Sequence, residues 1–190
     1  MVEIFEQLGP EKLRPLRRPE YDRLVALGCF EDERVELLRG VLVAMSPQGA
    51  LHAEVIRRLV RLLAAALRDR GLLQVQSPLA LGDDSEPEPD LAVVPPGDYA
   101  EAHPSEALLV IEVADSSLRK DRAIKAGLYA AARIPEYWLV NLDERTVEVY
   151  RVPAAGAYGS TTSAGRDAVL RPVALPDVEL AVADFLPAAR

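Results

Sequence analysis

Cysteine is nearly absent from this chain: Cys29 is the only one among 190 residues. An internal disulfide is therefore excluded, and the composition fits a reducing compartment. Histidine is almost as scarce, with His52 and His103 well apart. One Cys and two such His cannot furnish the four ligands of a structural zinc site. No apolar run approaches the ~20 residues that a bilayer-spanning helix needs, and the first residues lack the basic-then-apolar order of a secretory signal. A cytoplasmic protein with no membrane partner is the expectation. Three common motifs are also missing. The chain has no GxxxxGK[ST] loop, no GxGxxG after a strand and no GxSxG turn. These absences exclude a P-loop NTPase, the usual dinucleotide fingerprint and the nucleophile elbow.

Positive charge is in short supply as well. The 22 Lys and Arg residues face 30 Asp and Glu, for a net charge of −8 and a pI near 4.9. A protein that grips a phosphate backbone usually carries a basic footprint, so this balance counts against constitutive, tight nucleic-acid binding. It leaves room for an acidic site masked by a divalent metal, or for a local basic strip. The basic residues are mostly Arg and seldom Lys, which reads as genome composition.

With 49% hydrophobic and 27% charged residues, the chain is of ordinary globular composition and long enough for one domain with a real core. Residues 1–18, with Pro10 and Pro15 and scattered charge, read as an N-terminal arm packing on the domain or on a second subunit. Pro19 suits the first position of a short helix through Leu27, with Tyr21, Leu24, Val25 and Leu27 on its apolar side. Residues 34–45 read as two strands turning at Arg39-Gly40. Residues 52–70 give the clearest helix, with Val55, Ile56, Leu59, Leu63 and Leu67 at helical spacing. Residues 72–81 read as a strand or strand pair broken by Pro78. DDSEPEPD (83–90) is an acidic Pro-rich loop that leads into the apolar strand Leu91-Ala92-Val93-Val94.

Residues 108–141 hold the strongest pattern: a buried strand, a polar turn, a helix limited by Pro135, and a second buried strand. That is a βαβ unit. A hairpin follows through Asp143-Glu144 to residues 146–151. Residues 153–166, rich in Ala, Gly, Ser and Thr, read as a flexible loop. One or two short strands and a closing turn end the chain.

Three carboxylates share one feature: Glu36, Asp90 and Glu112 each sit in or at the edge of an apolar strand. Burying a carboxylate is costly unless it is paired or holds a metal. If their strands are neighbours, the three meet at one end of a sheet. Like charges there would repel, and a divalent cation with oxygen preference, Mg²⁺ or Mn²⁺, would remove the conflict. Lys125, on the helix after Glu112, is the natural fourth member, and Asp121, Lys125 and Tyr129 are spaced four apart on one face. Each residue taken alone has a plainer reading. Glu36 reads as salt-bridged, Asp121 and Lys125 as a surface pair worth ~0.3–0.5 kcal/mol, Tyr129 as core, and DDSEPEPD as a solvated loop.

The order of these pieces resembles the PD-(D/E)xK nuclease superfamily and, within it, the Uma-two family of restriction endonucleases. The matching pieces are VELLRG with Glu36, His52 opening the long helix, PEPD ending in Asp90, IEVADSS with Glu112, D-x-x-x-K-x-x-x-Y as Asp121, Lys125 and Tyr129, and IPEYWLVN. They span residues 21–151. The chain departs from the superfamily at Ala114, where a lysine normally follows two residues after the acidic residue; the resemblance implies Lys125 on the next helix as the replacement, with Lys120 a weaker candidate. The resemblance implies an α/β, restriction-endonuclease-like fold, a mixed central β-sheet flanked by helices, occupying residues 19–190 as a single domain. It implies Asp90 and Glu112 as metal ligands, Glu36 as a further acidic ligand or water-positioning group, and Lys125 as charge stabiliser. Mg²⁺-dependent hydrolysis of DNA by a homodimer is the implied activity. The rival reading is a catalytically inactive nuclease-like binding or assembly module; a third keeps the metal and changes the substrate to RNA or to damaged or branched DNA.

Overall fold

The computed structural model describes residues 14–188. Residues 1–13 of the expected arm lie outside that range. Helix α1 (Arg18–Ala26) carries Pro19 in its first turn, and Glu20 returns its carboxylate to the Arg17 N–H at 2.9 Å. Only Tyr21 of this helix is buried, while Val25 and Leu27 are exposed. The expected apolar side is therefore only partly covered: Tyr21 is buried and Leu24 half-buried, and Val25 and Leu27 face outward.

Strands β1 (Val35–Leu38) and β2 (Val41–Ala44) form the expected hairpin. Its turn residues Arg39 and Gly40 have φ of 49° and 77°, the positive pair that matches the natural twist of a two-residue hairpin loop. The hairpin is a separate two-stranded sheet and does not join the central one. It is tied down by residues 83–90. Leu37 and Glu86 exchange backbone hydrogen bonds, and the Gly40 N–H donates to the Asp84 carbonyl at 2.7 Å. That acidic stretch is therefore not a solvated loop: Ser85 and Glu86 are buried. Burial pushes the Glu86 carboxyl up to about 7, with the charge of Asp22 adding to the shift.

Helix α2 (Ala50–Leu67) packs Val55, Ile56, Leu59, Leu63 and Leu67 onto the sheet. It starts and stops two or three residues earlier than the periodicity suggested, with Arg68 turning out at φ 50°. The central sheet has six strands in the order β3-β4-β5-β6-β7-β8. These are β3 (Leu72–Val75), β4 (Leu91–Val94), β5 (Leu109–Ala114), β6 (Glu136–Asn141), β7 (Thr146–Ala154) and β8 (Ala157–Ala164). Only β5 and β6 run parallel. Their crossover is α3 (Leu118–Lys120), a π turn (Asp121–Lys125) and α4 (Ala126–Ala131). The βαβ unit stands as expected, and its two strands are buried on both faces, as parallel central strands are. Two short strands, β9 (Val169–Leu170) and β10 (Leu180–Ala181), pair with each other, and α5 (Val182–Phe185) closes the fold against α2.

Strand alternation places the site. Leu109, Ile111 and Val113 of β5 face α2, whereas Val110 and Ala114 face the crossover helix with Tyr129. Glu112 lies between those two and shares their face. At the other end of β6, buried Glu136 accepts from Trp138 Nε1, from Arg151 and from the Val173 N–H, a satisfied structural carboxylate away from the cavity. Residues 153–166 are a correction: instead of a loop, they turn at Ala155-Gly156 (φ 47° and 82°) and return as edge strand β8. Small polar residues with two threonines pair through their backbones, which leaves no apolar alternation to read.

Candidate active site

Antiparallel register sets Leu91 of β4 opposite Ile111 of β5, so Asp90, one residue earlier, stands opposite Glu112. The two carboxylates are neighbours across the strands at the end of the sheet. Asp90 is tightly held: Oδ2 accepts from the Val113 N–H at 2.8 Å and lies 3.1 Å from His52 Nε2. Glu112 Oε1 accepts from Lys125 Nζ at 2.8 Å and from the Tyr129 hydroxyl at 2.7 Å. Asp90 Oδ1 and Glu112 Oε2 are left with only marginal contacts, a Gln76 Nε2 at 3.5 Å and the Asp90 N–H at 3.4 Å. Both residues line a cavity of about 100 Å³ together with Gly49, His52, Ser117 and Lys120.

Glu36 arrives from outside the sheet. Hairpin β1–β2 brings it over the crossover helix, fully buried. Its Oε1 meets Lys120 Nζ at 2.7 Å and its Oε2 meets Lys125 Nζ at 2.9 Å. The condition that the three strands be neighbours is not met, yet Glu36 and Glu112 meet at Lys125, and Asp90 stands beside Glu112. They do not form a ready cage, however. Among the described residues no three His, Cys, Asp or Glu side chains are grouped to hold an ion. The lysines occupy both Glu36 oxygens, and this separates it from the Asp90–Glu112 pair.

Asp121 and Lys125, which spacing alone reads as a surface pair, are both buried. No salt bridge joins them among the described residues; Lys125 pairs with Glu36 and Glu112 instead. Asp121 Oδ2 accepts from the Ser117 hydroxyl at 2.5 Å, and its Oδ1 is buried with no partner. It is a further carboxylate on the cavity wall that the sequence reading did not place at the site. Tyr129 is a core residue whose hydroxyl also donates to Glu112.

The electrostatics are those of a site short of positive charge. Burial pushes the Glu112 carboxyl up to about 8, against the pull of Lys125 and with Asp121, Asp90 and Glu36 adding to the rise. Burial opposes the ionisation of Glu36 too, but the Lys125 and Lys120 ammoniums outweigh it and hold that carboxyl below its usual range. Lys125 is likewise opposed by burial and held charged by Glu112 and Glu36. For His52 the loss of solvent is outweighed by Asp90, and its pKa is raised.

The sequence profile of the Uma2 family, described as "Putative restriction endonuclease", matches residues 18–183. The chain belongs to the Uma2 family. Its α/β architecture is shared by a solved structure from Anabaena variabilis ATCC 29413, described as that of a putative nuclease belonging to DUF820. The two superpose with a TM-score of 0.72 at 18% identity, over 90% of this chain and 98% of the other. At that identity the likeness establishes the fold, a restriction-endonuclease-like mixed sheet. No curated protein matches this Uma2 chain. Among its described helices none is long and apolar enough to cross a membrane.

Proposed function

We propose that this Uma2 chain is a divalent-metal-dependent endonuclease that hydrolyses phosphodiester bonds in DNA. The observation that carries the reading is the facing pair Asp90 and Glu112, each held rigidly through one oxygen and open at the other. The cavity is lined by five carboxylates (Glu88, Asp90, Glu112, Asp115, Asp121) and three Lys or Arg side chains (Arg34, Lys120, Lys125), with Glu36 paired to both lysines. Acidic groups outnumber basic ones on that wall, which suits a cation. The donor set fits Mg²⁺ or Mn²⁺ as well, since Mg²⁺ is commonly bound through one or two carboxylates with water and substrate phosphate completing the shell. Asp90 and Glu112 would hold it. When bound, such an ion polarises a phosphoryl oxygen and lowers the pKa of a water.

The chain's own residues have separable tasks. The Val113 N–H and His52 orient Asp90, and Tyr129 and Lys125 orient Glu112. Glu36 is a positioning residue in this reading, not a ligand, because its oxygens hold the two lysines where the cavity needs positive potential. Replacing Asp90 or Glu112 with Ala is expected to lower DNA cleavage in Mg²⁺ by at least about 100-fold, with circular dichroism unchanged. An Asp90→Ala protein that cuts at the wild-type rate would sink the assignment.

A further inference from the structure

Lysine is rare here. The chain contains three, Lys12, Lys120 and Lys125, among 22 basic residues. Two of the three stand on one cavity, in a chain that otherwise uses arginine for positive charge. A lysine differs from an arginine in being a compact, strongly hydrated point charge on a flexible stem. What reads as genome composition elsewhere therefore has a local exception, and the two lysines are not equivalent.

Lys125 is spent inside the protein. Its ammonium donates to Glu36 and Glu112 at 2.9 and 2.8 Å, and its side chain is 3% exposed. Lys120 makes one ion pair, to Glu36 at 2.7 Å, and its side chain is 26% exposed at the cavity. An ammonium has three donors, so Lys120 keeps two for something that enters. The third cation of the cavity wall, Arg34, is held at the rim by Glu88. The π turn explains how two lysines five residues apart reach one carboxylate. In an α-helix that spacing would set them about 140° apart. Here the Ala126 N–H bonds the Asp121 carbonyl across five residues, so the flanking side chains stack on one face, the kind of distortion that recurs at functional sites.

We propose that Lys120 is the substrate-contacting lysine of this site, donating to a non-bridging oxygen of the phosphodiester, while Lys125 serves as the internal counter-charge. The inference rests on the nuclease reading and divides the work of its two lysines. Glu36 then acts as a rest position for Lys120, from which the ammonium turns toward an entering phosphate without leaving the carboxylate's field.

The test compares wild type, Lys120→Gln and Lys120→Arg. Three quantities are measured: Mn²⁺ affinity by calorimetry, affinity for a fluorescent DNA oligonucleotide by anisotropy in Ca²⁺, and cleavage rate in Mg²⁺. Lys120→Gln is expected to weaken DNA affinity about 10-fold and to lower kcat/KM further, because charge-assisted bonds to phosphate are among the stronger ones. Its Mn²⁺ affinity is expected to stay within about twofold of wild type, and Lys120→Arg is expected to recover most of the DNA affinity. A Lys120→Gln protein that binds and cuts DNA like wild type overturns the proposal. So does one that loses Mn²⁺ affinity, because the lysine would then be needed only to order the carboxylates. A wild type that neither binds nor cuts any nucleic acid overturns the nuclease reading and this proposal together, an outcome distinct from the other two.

Discussion

Glu36 has no solvent and no free oxygen. Its carboxylate joins Lys120 and Lys125, and through Lys125 it is linked to Glu112. Taking one partner from a buried ion pair leaves the others uncompensated and costs about 3–5 kcal/mol. Glu36→Gln keeps the shape and removes the charge, so urea denaturation is expected to show a loss of about 3 kcal/mol. An unchanged midpoint and slope would mean that water already screens the lysines, contrary to the burial seen here. The same residue marks the limit of sequence reading. Asp90 and Glu112 were legible because a carboxylate in or beside an apolar strand has no cheap solution other than a partner or a metal. Lys120 and Glu36 are 84 residues apart, and nothing local connects them. Asp121 was misread for the opposite reason: its four-residue spacing to Lys125 is also that of an ordinary exposed pair, and the hairpin and sheet that bury it are distant in sequence.

The hairpin β1–β2 is the element on which this geometry depends, since it carries Glu36 to the crossover helix from outside the central sheet. It is held by its turn. Gly40 has φ 77°, and a Cβ there would stand 2.3 Å from Pro15 Cβ and 3.0 Å from the Leu16 carbonyl oxygen. Gly82 has a similar φ of 75° but nothing within 4 Å of its would-be Cβ. Backbone strain alone costs of order 1–3 kcal/mol, so Gly40→Val is expected to destabilise clearly more than Gly82→Ala in thermal unfolding. Equal shifts would show that the turn does not anchor the hairpin. The hairpin, α2 and the βαβ unit were legible in outline because turn residues and apolar period agree there. Strand β8 was not, because an edge strand with one neighbour, built mostly of Ala, Gly, Ser and Thr, buries little. The π turn was also hidden: one extra residue in a helix leaves the flanking apolar pattern readable as an ordinary helix.

On the scale of the whole molecule, a net charge of −8 and a cavity wall whose three cations are each tied to a carboxylate leave little general attraction for a phosphate backbone. Substrate capture in this account depends on the metal, with Lys120 adding a single local charge. Fold and family membership agree with that account, but the metal is its central claim. The direct measurement is thermal unfolding of wild type, Asp90→Ala and Glu112→Ala, each with and without Mn²⁺. A ligand at about 100 times its Kd adds about 2.7 kcal/mol, roughly 5–11 °C in Tm for a domain of this size. The account predicts that rise in wild type and its loss in both variants. No rise in wild type across a wide Mn²⁺ range, or a rise of equal size in all three proteins, would contradict it.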